Sequence, residues 1–116
     1  MRASPEEHLH VYVADLLRLK ARPSVIHYHP PNGEFRSKRT GARLKRMGVR
    51  AGVADFALIL PCGMAAFLEL KSAKGVPSDA QRAFRADCER NGTPYAIART
   101  PNEAYHILLA WGAIEE

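Results

Sequence analysis

The chain has 116 residues, 47% of them hydrophobic and 25% charged, and its formal net charge is +5. This length predicts a single domain, residues 1–116, with a modest core. No apolar run approaches the length of a membrane span and no secretory signal opens the chain, so we expect neither a membrane-spanning nor a secreted protein. Cys62 and Cys88 lack metal or redox spacing, which favours an intracellular setting with reduced thiols.

The first elements in chain order are a helix and a short strand. Ser4 as N-cap, followed by proline and by Glu7 at the third helical position, predicts a helix over residues 5–20. A strand is predicted over 25–29, closed by a Pro-Pro-Asn-Gly turn. Its histidines at 27 and 29 share one face and could form a metal pair. Because no third ligand is evident, we interpret them as hydrogen-bonded imidazoles at a half-buried strand edge.

Positive charge is concentrated in residues 36–50, which hold seven of the 17 Lys and Arg residues and no acid. The other ten bases are outnumbered by twelve acids, so this segment alone makes the protein basic. A concentrated patch suits a polyanion better than diffuse charge does, and a solvated loop is the alternative. A short helix or turn is predicted around residues 37–47, with Gly41, Gly48 and Gly52 keeping its ends loose.

The remaining predicted elements are strands at about 54–60, 65–71 and 95–98, and helices at about 79–91 and 101–111. Ser78 with Gln81 and Thr100 with Glu103 have the spacing of capping boxes that open the two helices. The resulting order of helices and strands predicts an α/β domain in which helices flank a mixed central sheet.

Acidic and basic residues meet where the two middle strands come together. Asp55 stands at the start of the first of these strands, and Glu69 and Lys71 at the end of the second. Residues two apart share a strand face, so adjacent antiparallel strands can bring all three side chains into one corner. Gathering such charges is costly unless they hold a metal ion and a phosphate. The alternative is a surface ion pair between Glu69 and Lys71, which contributes little to stability.

This arrangement resembles the PD-(D/E)XK nuclease superfamily. Within it, the ordered series that runs from Asn32-Gly33 through residues 36–55, then through Glu69-Leu70-Lys71 to Gln81, looks like the signature of the VRR-NUC family. The resemblance covers about residues 6–109 and implies a restriction-endonuclease-like core (α-β-β-β-α-β-α). Ala54 departs from the usual proline of the family, and His10 stands where relatives tend to carry glutamine.

The resemblance implies a metal-dependent endonuclease that hydrolyses DNA phosphodiester bonds. Mg²⁺ or Mn²⁺ would be held by Asp55 and Glu69, with the carbonyl of Leu70 as a third oxygen ligand. Lys71 would orient the attacking water or stabilise the transition state. The set of catalytic residues is then Asp55, Glu69, Lys71 and Gln81.

Two polar residues of the helices have alternative roles. The family's helical glutamate is carried onto Glu6 as a further metal ligand, while Glu7 competes for that role but sits at the capping position. Both acids could instead be solvated residues favoured by the helix dipole. Gln81 could complete a helix cap or point into the active site, and the sequence does not separate these roles.

Nucleic-acid contacts are predicted for five basic residues: Arg36, Lys38, Arg39, Arg43 and Lys45. Such contacts follow the DNA backbone and do not read bases, so we expect selectivity for DNA shape rather than sequence. Small stand-alone phage and bacterial relatives imply a homodimer acting on branched DNA such as four-way junctions, in the cytoplasm of a bacterium or a phage-infected host. No membrane or organic cofactor is expected. The rival hypothesis is a non-catalytic nucleic-acid-binding module that uses the basic residues 36–50.

Overall fold

The structure, a computed structural model, describes residues 4–31 and 38–116, the side chain of Lys38 excepted. Within these ranges the elements are α1 (Pro5–Lys20), β1 (Ile26–Tyr28), α2 (Lys38–Arg46), β2 (Phe56–Ile59), β3 (Ala65–Leu70), α3 (Asp79–Arg90), β4 (Tyr95–Ala98) and α4 (Pro101–Ala110). The predicted order of elements is confirmed, and the short segment among the basic residues is a helix. None of the helices in the described ranges has the length and hydrophobicity needed to cross a membrane.

The four strands form one mixed sheet in the order β1-β2-β3-β4. β2 pairs antiparallel with both β1 and β3, whereas β3 and β4 are parallel, so α3 serves as the crossover between them. The last paired residues at the open end of the β2–β3 hairpin are Phe56 and Leu68. One residue further along, Asp55 and Glu69 come opposite each other, and opposite residues of an antiparallel pair share a face.

The hydrophobic core lies between the sheet and the pair α1 and α4. Leu9, Val13 and Leu17 of α1 are buried, as their spacing predicts for an amphipathic helix. Leu68 and Leu70 of β3 join the same core cluster. Because successive strand residues point to opposite faces, Phe67, Glu69 and Lys71 belong to the face covered by α3.

Residues 47–54 connect α2 to β2 and pack directly against α3. At Gly52 the backbone φ is +84°, and a Cβ atom there would lie 2.4 Å from the backbone carbonyl of Ala80. Arg50 pairs with Asp87 at 2.6 Å and its guanidinium lies 5.1 Å from the Phe84 ring centroid. The expectation that Gly52 loosens this segment is therefore wrong, since its missing side chain permits a close backbone contact.

Replacing Gly52 by alanine should destabilise the protein by about 2–5 kcal/mol, because it adds backbone strain and a steric clash with α3. Gly48 is the matched control: its φ is +101°, yet a Cβ there meets nothing within 4 Å. Gly48→Ala should cost only the strain, about 1–2 kcal/mol. Urea denaturation of the two variants measures the difference. Equal losses would mean that Gly52 makes no essential close contact.

Candidate active site

Asp55 lies at the point where β2 and β3 separate. It is half-buried in the bend before Phe56, and its Oδ2 accepts a hydrogen bond of 2.8 Å from the backbone N–H of Leu70. The carboxylate thus takes the place of a strand partner for the last residue of β3. In extended backbone the N–H and C=O of one residue point to the same edge of the strand, so the Leu70 carbonyl also points towards Asp55.

Glu69 is the buried acid of the site, with 2% of its surface exposed, and the described part of the chain buries no other charged or polar residue to this extent. Its Oε2 accepts a hydrogen bond of 2.8 Å from Nε2 of Gln81 and lies 3.6 Å from Nζ of Lys71. Burial, and then the neighbouring Asp55 carboxylate, raise the pKa of Glu69 to about 8, while Lys71 acts in the opposite direction. Glu69 therefore holds its proton more tightly than an exposed glutamate does, because its charged form is poorly solvated and lies near another acid.

Lys71 follows directly after β3, and its N–H donates to the carbonyl of Ala98 at 3.1 Å. Its side chain is 15% exposed, so the ammonium faces the cleft rather than bulk water. The turn that follows is braced by Arg99, which donates to the carbonyls of Ser72 and Gly75 at 2.8 Å each. Sequence reasoning missed Arg99, because no local pattern distinguishes it from a surface arginine.

Gln81 uses both ends of its amide. Its Oε1 accepts from the backbone N–H of Ser78 at 2.9 Å, and its own N–H donates to the Ser78 hydroxyl at 3.1 Å. Its Nε2 donates to Glu69. The helix cap and the contact with the site are therefore compatible, since one amide offers both an acceptor and donors.

These side chains line one open cleft of about 870 Å³. Glu6, in the exposed first turn of α1, is among the lining residues together with Asp55, Glu69, Lys71 and Gln81. Glu7 is not among them, and its N–H is bonded to the Ser4 hydroxyl at 3.1 Å. Leu70 also lines the cleft.

The predicted DNA-binding residues are divided between the cleft and its surroundings. Lys45 of α2 lines the cleft, whereas Arg39 and Arg43 are exposed on the same helix. Arg36 lies outside the described residues, and so does the side chain of Lys38, although its backbone begins α2. α2 therefore brings one of the predicted basic residues, Lys45, to the wall of the cleft.

A group of two histidines borders the same carboxylate. His29 comes directly after β1, and its Nδ1 lies 2.6 Å from the backbone carbonyl oxygen of Asp55. Its ring is 4.4 Å from that of His10, which in turn lies 4.7 Å from the Phe56 ring. Burial and His29 lower the pKa of His10. The hydrogen bond of His29 agrees with its interpretation from sequence as a hydrogen-bonded imidazole, and the residue beside it is His10 of α1 rather than His27.

The described residues contain one group of at least three possible metal ligands whose ligand atoms all lie within 4.8 Å of one another: His10, His29 and Asp55. Glu6, Asp55 and Glu69 share the cleft, but among the described residues their carboxylate oxygens do not form a group within that distance. Sequence reasoning missed the histidine group, although the unusual His10 was a signal for it.

Comparisons with known proteins identify the fold. No family model matches the sequence, and no curated protein matches it. A solved structure described as "VRR_NUC domain protein" matches over 100% of both chains with a TM-score of 0.75 and 15% sequence identity. Another, described as "VRR_NUC domain", covers 93% of this chain and 97% of its own with a TM-score of 0.65 and 16% identity. The chain therefore has the VRR_NUC fold, and the predicted fold class is confirmed.

The raised pKa of Glu69 predicts the pH dependence of stability in EDTA. Between its ordinary value of 4.5 and about 8, the folded state keeps a proton that the unfolded chain releases. The free energy of unfolding should therefore fall as the pH rises through this interval. Glu69→Gln removes the titrating group and should flatten this part of the profile. Urea denaturation at pH 5.5, 7 and 8.5 tests this, and identical slopes for both proteins would contradict it.

Proposed function

We propose that this protein is a metal-dependent nuclease that hydrolyses DNA phosphodiester bonds. The observation that carries the proposal is the convergence of Asp55, Glu69 and Lys71 on one cleft, with Glu69 buried and the Lys71 ammonium 3.6 Å from its carboxylate. The VRR_NUC fold supports the same conclusion.

The donor set fits a hard divalent cation. Mg²⁺ and Mn²⁺ prefer carboxylate and carbonyl oxygens, which Asp55, Glu69 and the Leu70 carbonyl supply. The high pKa of Glu69 reflects burial near another acid, and a cation bound there would displace its proton and offset the repulsion. Glu6 lines the same cleft and is proposed as a further ligand, either directly or through water.

Each residue of the candidate site then has a separate role in hydrolysis. When bound, a divalent ion supplies positive charge that offsets the negative charge developing on the phosphate. Lys71 adds a second positive charge and orients the attacking water. Gln81 holds Glu69 in place through the Nε2 contact, so it positions a metal ligand. Asp55 is oriented in the same way by the N–H of Leu70.

The substrate is proposed to be branched DNA, such as a four-way junction, cut by a homodimer. Arg39, Arg43 and Lys45 lie on α2 beside the cleft, and together with Arg36 and Lys38 they would follow the phosphate backbone. Contacts of this kind favour DNA shape over sequence. Two active sites related by a two-fold axis would suit paired cuts in a symmetric junction.

The direct test compares a labelled four-way junction with a linear duplex of the same sequence, in Mg²⁺, in Mn²⁺ and in EDTA. We expect cutting in at least one metal, none in EDTA, and a faster rate on the junction. Binding without cutting in either metal would favour the rival hypothesis of a non-catalytic nucleic-acid-binding module. Equal rates on both substrates would contradict the selectivity for branched DNA but not the nuclease activity.

The contribution of α2 to DNA binding can be measured separately from DNA cleavage. In EDTA, Lys45→Gln should weaken DNA binding for all sequences and reduce the slope of log K against log salt by about 0.7–0.9, the value for one phosphate contact. Lys20→Gln is the matched control, because Lys20 is exposed at the far end of α1 and does not line the cleft. Fluorescence anisotropy measured between 50 and 200 mM salt gives the slope for each variant. The loss of one phosphate contact changes the slope measurably over this range of salt concentration. A wild-type slope for Lys45→Gln would exclude that contact.

A further inference from the structure

Two imidazoles and a carboxylate from three separate elements converge at the edge of the cleft. His10 comes from α1, His29 from the end of β1, and Asp55 from the bend before β2. One ligand atom of each lies within 4.8 Å of the other two. Two ligand atoms bound to one Zn²⁺ are separated by about 3.3 Å, since each bond is about 2.0–2.1 Å long and the geometry is tetrahedral. Side-chain rotation can supply the remaining contraction.

The hydrogen bond of His29 prepares it for coordination. A carbonyl oxygen only accepts, so Nδ1 of His29 carries the hydrogen that it donates to the carbonyl of Asp55, 2.6 Å away. In the neutral ring, Nε2 then keeps its lone pair. Histidines that bind metals characteristically donate their other N–H to a carbonyl or carboxylate, which fixes the tautomer and the ring orientation. His29 is also exposed, so an ion can reach it from solvent.

We propose that His10, His29 and Asp55 form a binding site for a transition-metal ion of the Zn²⁺ type. Two nitrogens and one carboxylate oxygen suit Zn²⁺ or Co²⁺, whereas Mg²⁺ requires oxygen ligands. Three protein ligands leave a position open for water or for a phosphate oxygen. This site is distinct from the oxygen-rich set proposed for Mg²⁺ or Mn²⁺, although Asp55 belongs to both. It does not depend on the proposed nuclease activity.

Aromatic packing is the competing explanation for the closeness of His10 and His29. The ring of His10 lies 4.7 Å from Phe56 and 4.4 Å from His29 in an edge-to-face arrangement. Packing alone accounts for the proximity of the rings but requires no ion. The two explanations differ in one measurable respect, which is the affinity of the metal-free, DNA-free protein for a transition metal.

The test is a titration of the full chain with Co²⁺, followed by its visible absorption, and then competition with Zn²⁺. We expect one bound Co²⁺ that Zn²⁺ displaces. His10→Gln and His29→Gln should each lower the affinity for Co²⁺ by at least about tenfold. His27→Gln is the matched control, because it removes a histidine from β1 that lies outside the group, and it should bind as the wild type does.

Circular dichroism of each variant establishes that it is folded. In NMR spectra that observe the ring nitrogens, Zn²⁺ should shift the Nε2 signal of His29 and a ring-nitrogen signal of His10 while leaving those of His27 in place. Wild-type Co²⁺ affinity in both folded glutamine variants would overturn the proposal. Glu69→Gln separates the two hypotheses, since it should keep the Co²⁺ site while losing Mg²⁺-dependent cutting. If the wild-type protein binds Co²⁺ but does not cut DNA, only the proposed function is overturned. If it cuts DNA but does not bind Co²⁺, only the site formed by the two histidines and Asp55 is overturned.

Discussion

Asp55→Asn should lower metal-dependent cleavage on the order of 10²–10³-fold, because a carboxylate that holds the cation contributes several kcal/mol at about 1.4 kcal/mol per tenfold. Asparagine has nearly the same shape, and its carbonyl oxygen can still accept from the N–H of Leu70. The loss should therefore reflect charge rather than folding. Single-turnover cutting of a labelled junction measures the rate, and anisotropy in EDTA should show unchanged binding.

Asp15→Asn provides the control for a lost acid. Asp15 lies on α1 in an ion pair with Arg18 and does not line the cleft. Its replacement should leave the cutting rate within about twofold of wild type. The exposed ion pair contributes less than about 1 kcal/mol to the free energy of unfolding, so the variant should stay folded. If Asp55→Asn cut DNA as fast as this control, Asp55 would have no part in holding the cation.

Lys71→Met should reduce the cutting rate by a comparable factor, on the order of 10²–10³, which is typical for removing one group that stabilises transition-state charge. Methionine keeps much of the length and the apolar stem of the side chain. Loss of the ammonium, which lies 3.6 Å from Glu69, should also raise the pKa of that carboxyl further, because Lys71 now lowers it. The metal should then require a higher pH to bind.

Lys74→Met is the matched variant for this experiment. Lys74 is exposed three residues further along the same connection and does not line the cleft. Rates measured from pH 6 to 9 should show a reduced maximum and an alkaline shift for Lys71→Met, with neither change for Lys74→Met. Similar profiles for the two variants would remove Lys71 from the mechanism.

Most of the fold could be predicted from local patterns. The capping residues Ser4, Ser78 and Thr100 mark the starts of three helices, and each hydroxyl accepts the expected backbone N–H. The closeness of Asp55 and Glu69 also follows from sequence, since a short turn between two strands determines which residues face each other. β1, β2 and β3 are shorter than the predicted strands 25–29, 54–60 and 65–71, because the sequence pattern continues after the ladder of hydrogen bonds has ended, whereas β4 matches its predicted bounds.

The histidine group could not be predicted in the same way. The distance from His10 to Asp55 depends on how α1 crosses the sheet, which is set by packing of the whole core rather than by any nearby pattern. The same holds for Gly52, whose contact partner Ala80 lies 28 positions away in the chain. Arg99 reaches the turn after Lys71 only because β4 runs parallel to β3.

The two hydrogen-bonding contacts of the Gln81 side chain tie the geometry of the candidate active site to the integrity of α3. One end of its amide closes the first turn of α3, and the other end restrains the buried carboxylate. Fraying of that turn would release Glu69 while the strands are still paired. The proposed metal-binding geometry would then be lost before the sheet unfolds, so local unfolding of a few residues would be enough to abolish the proposed cleavage.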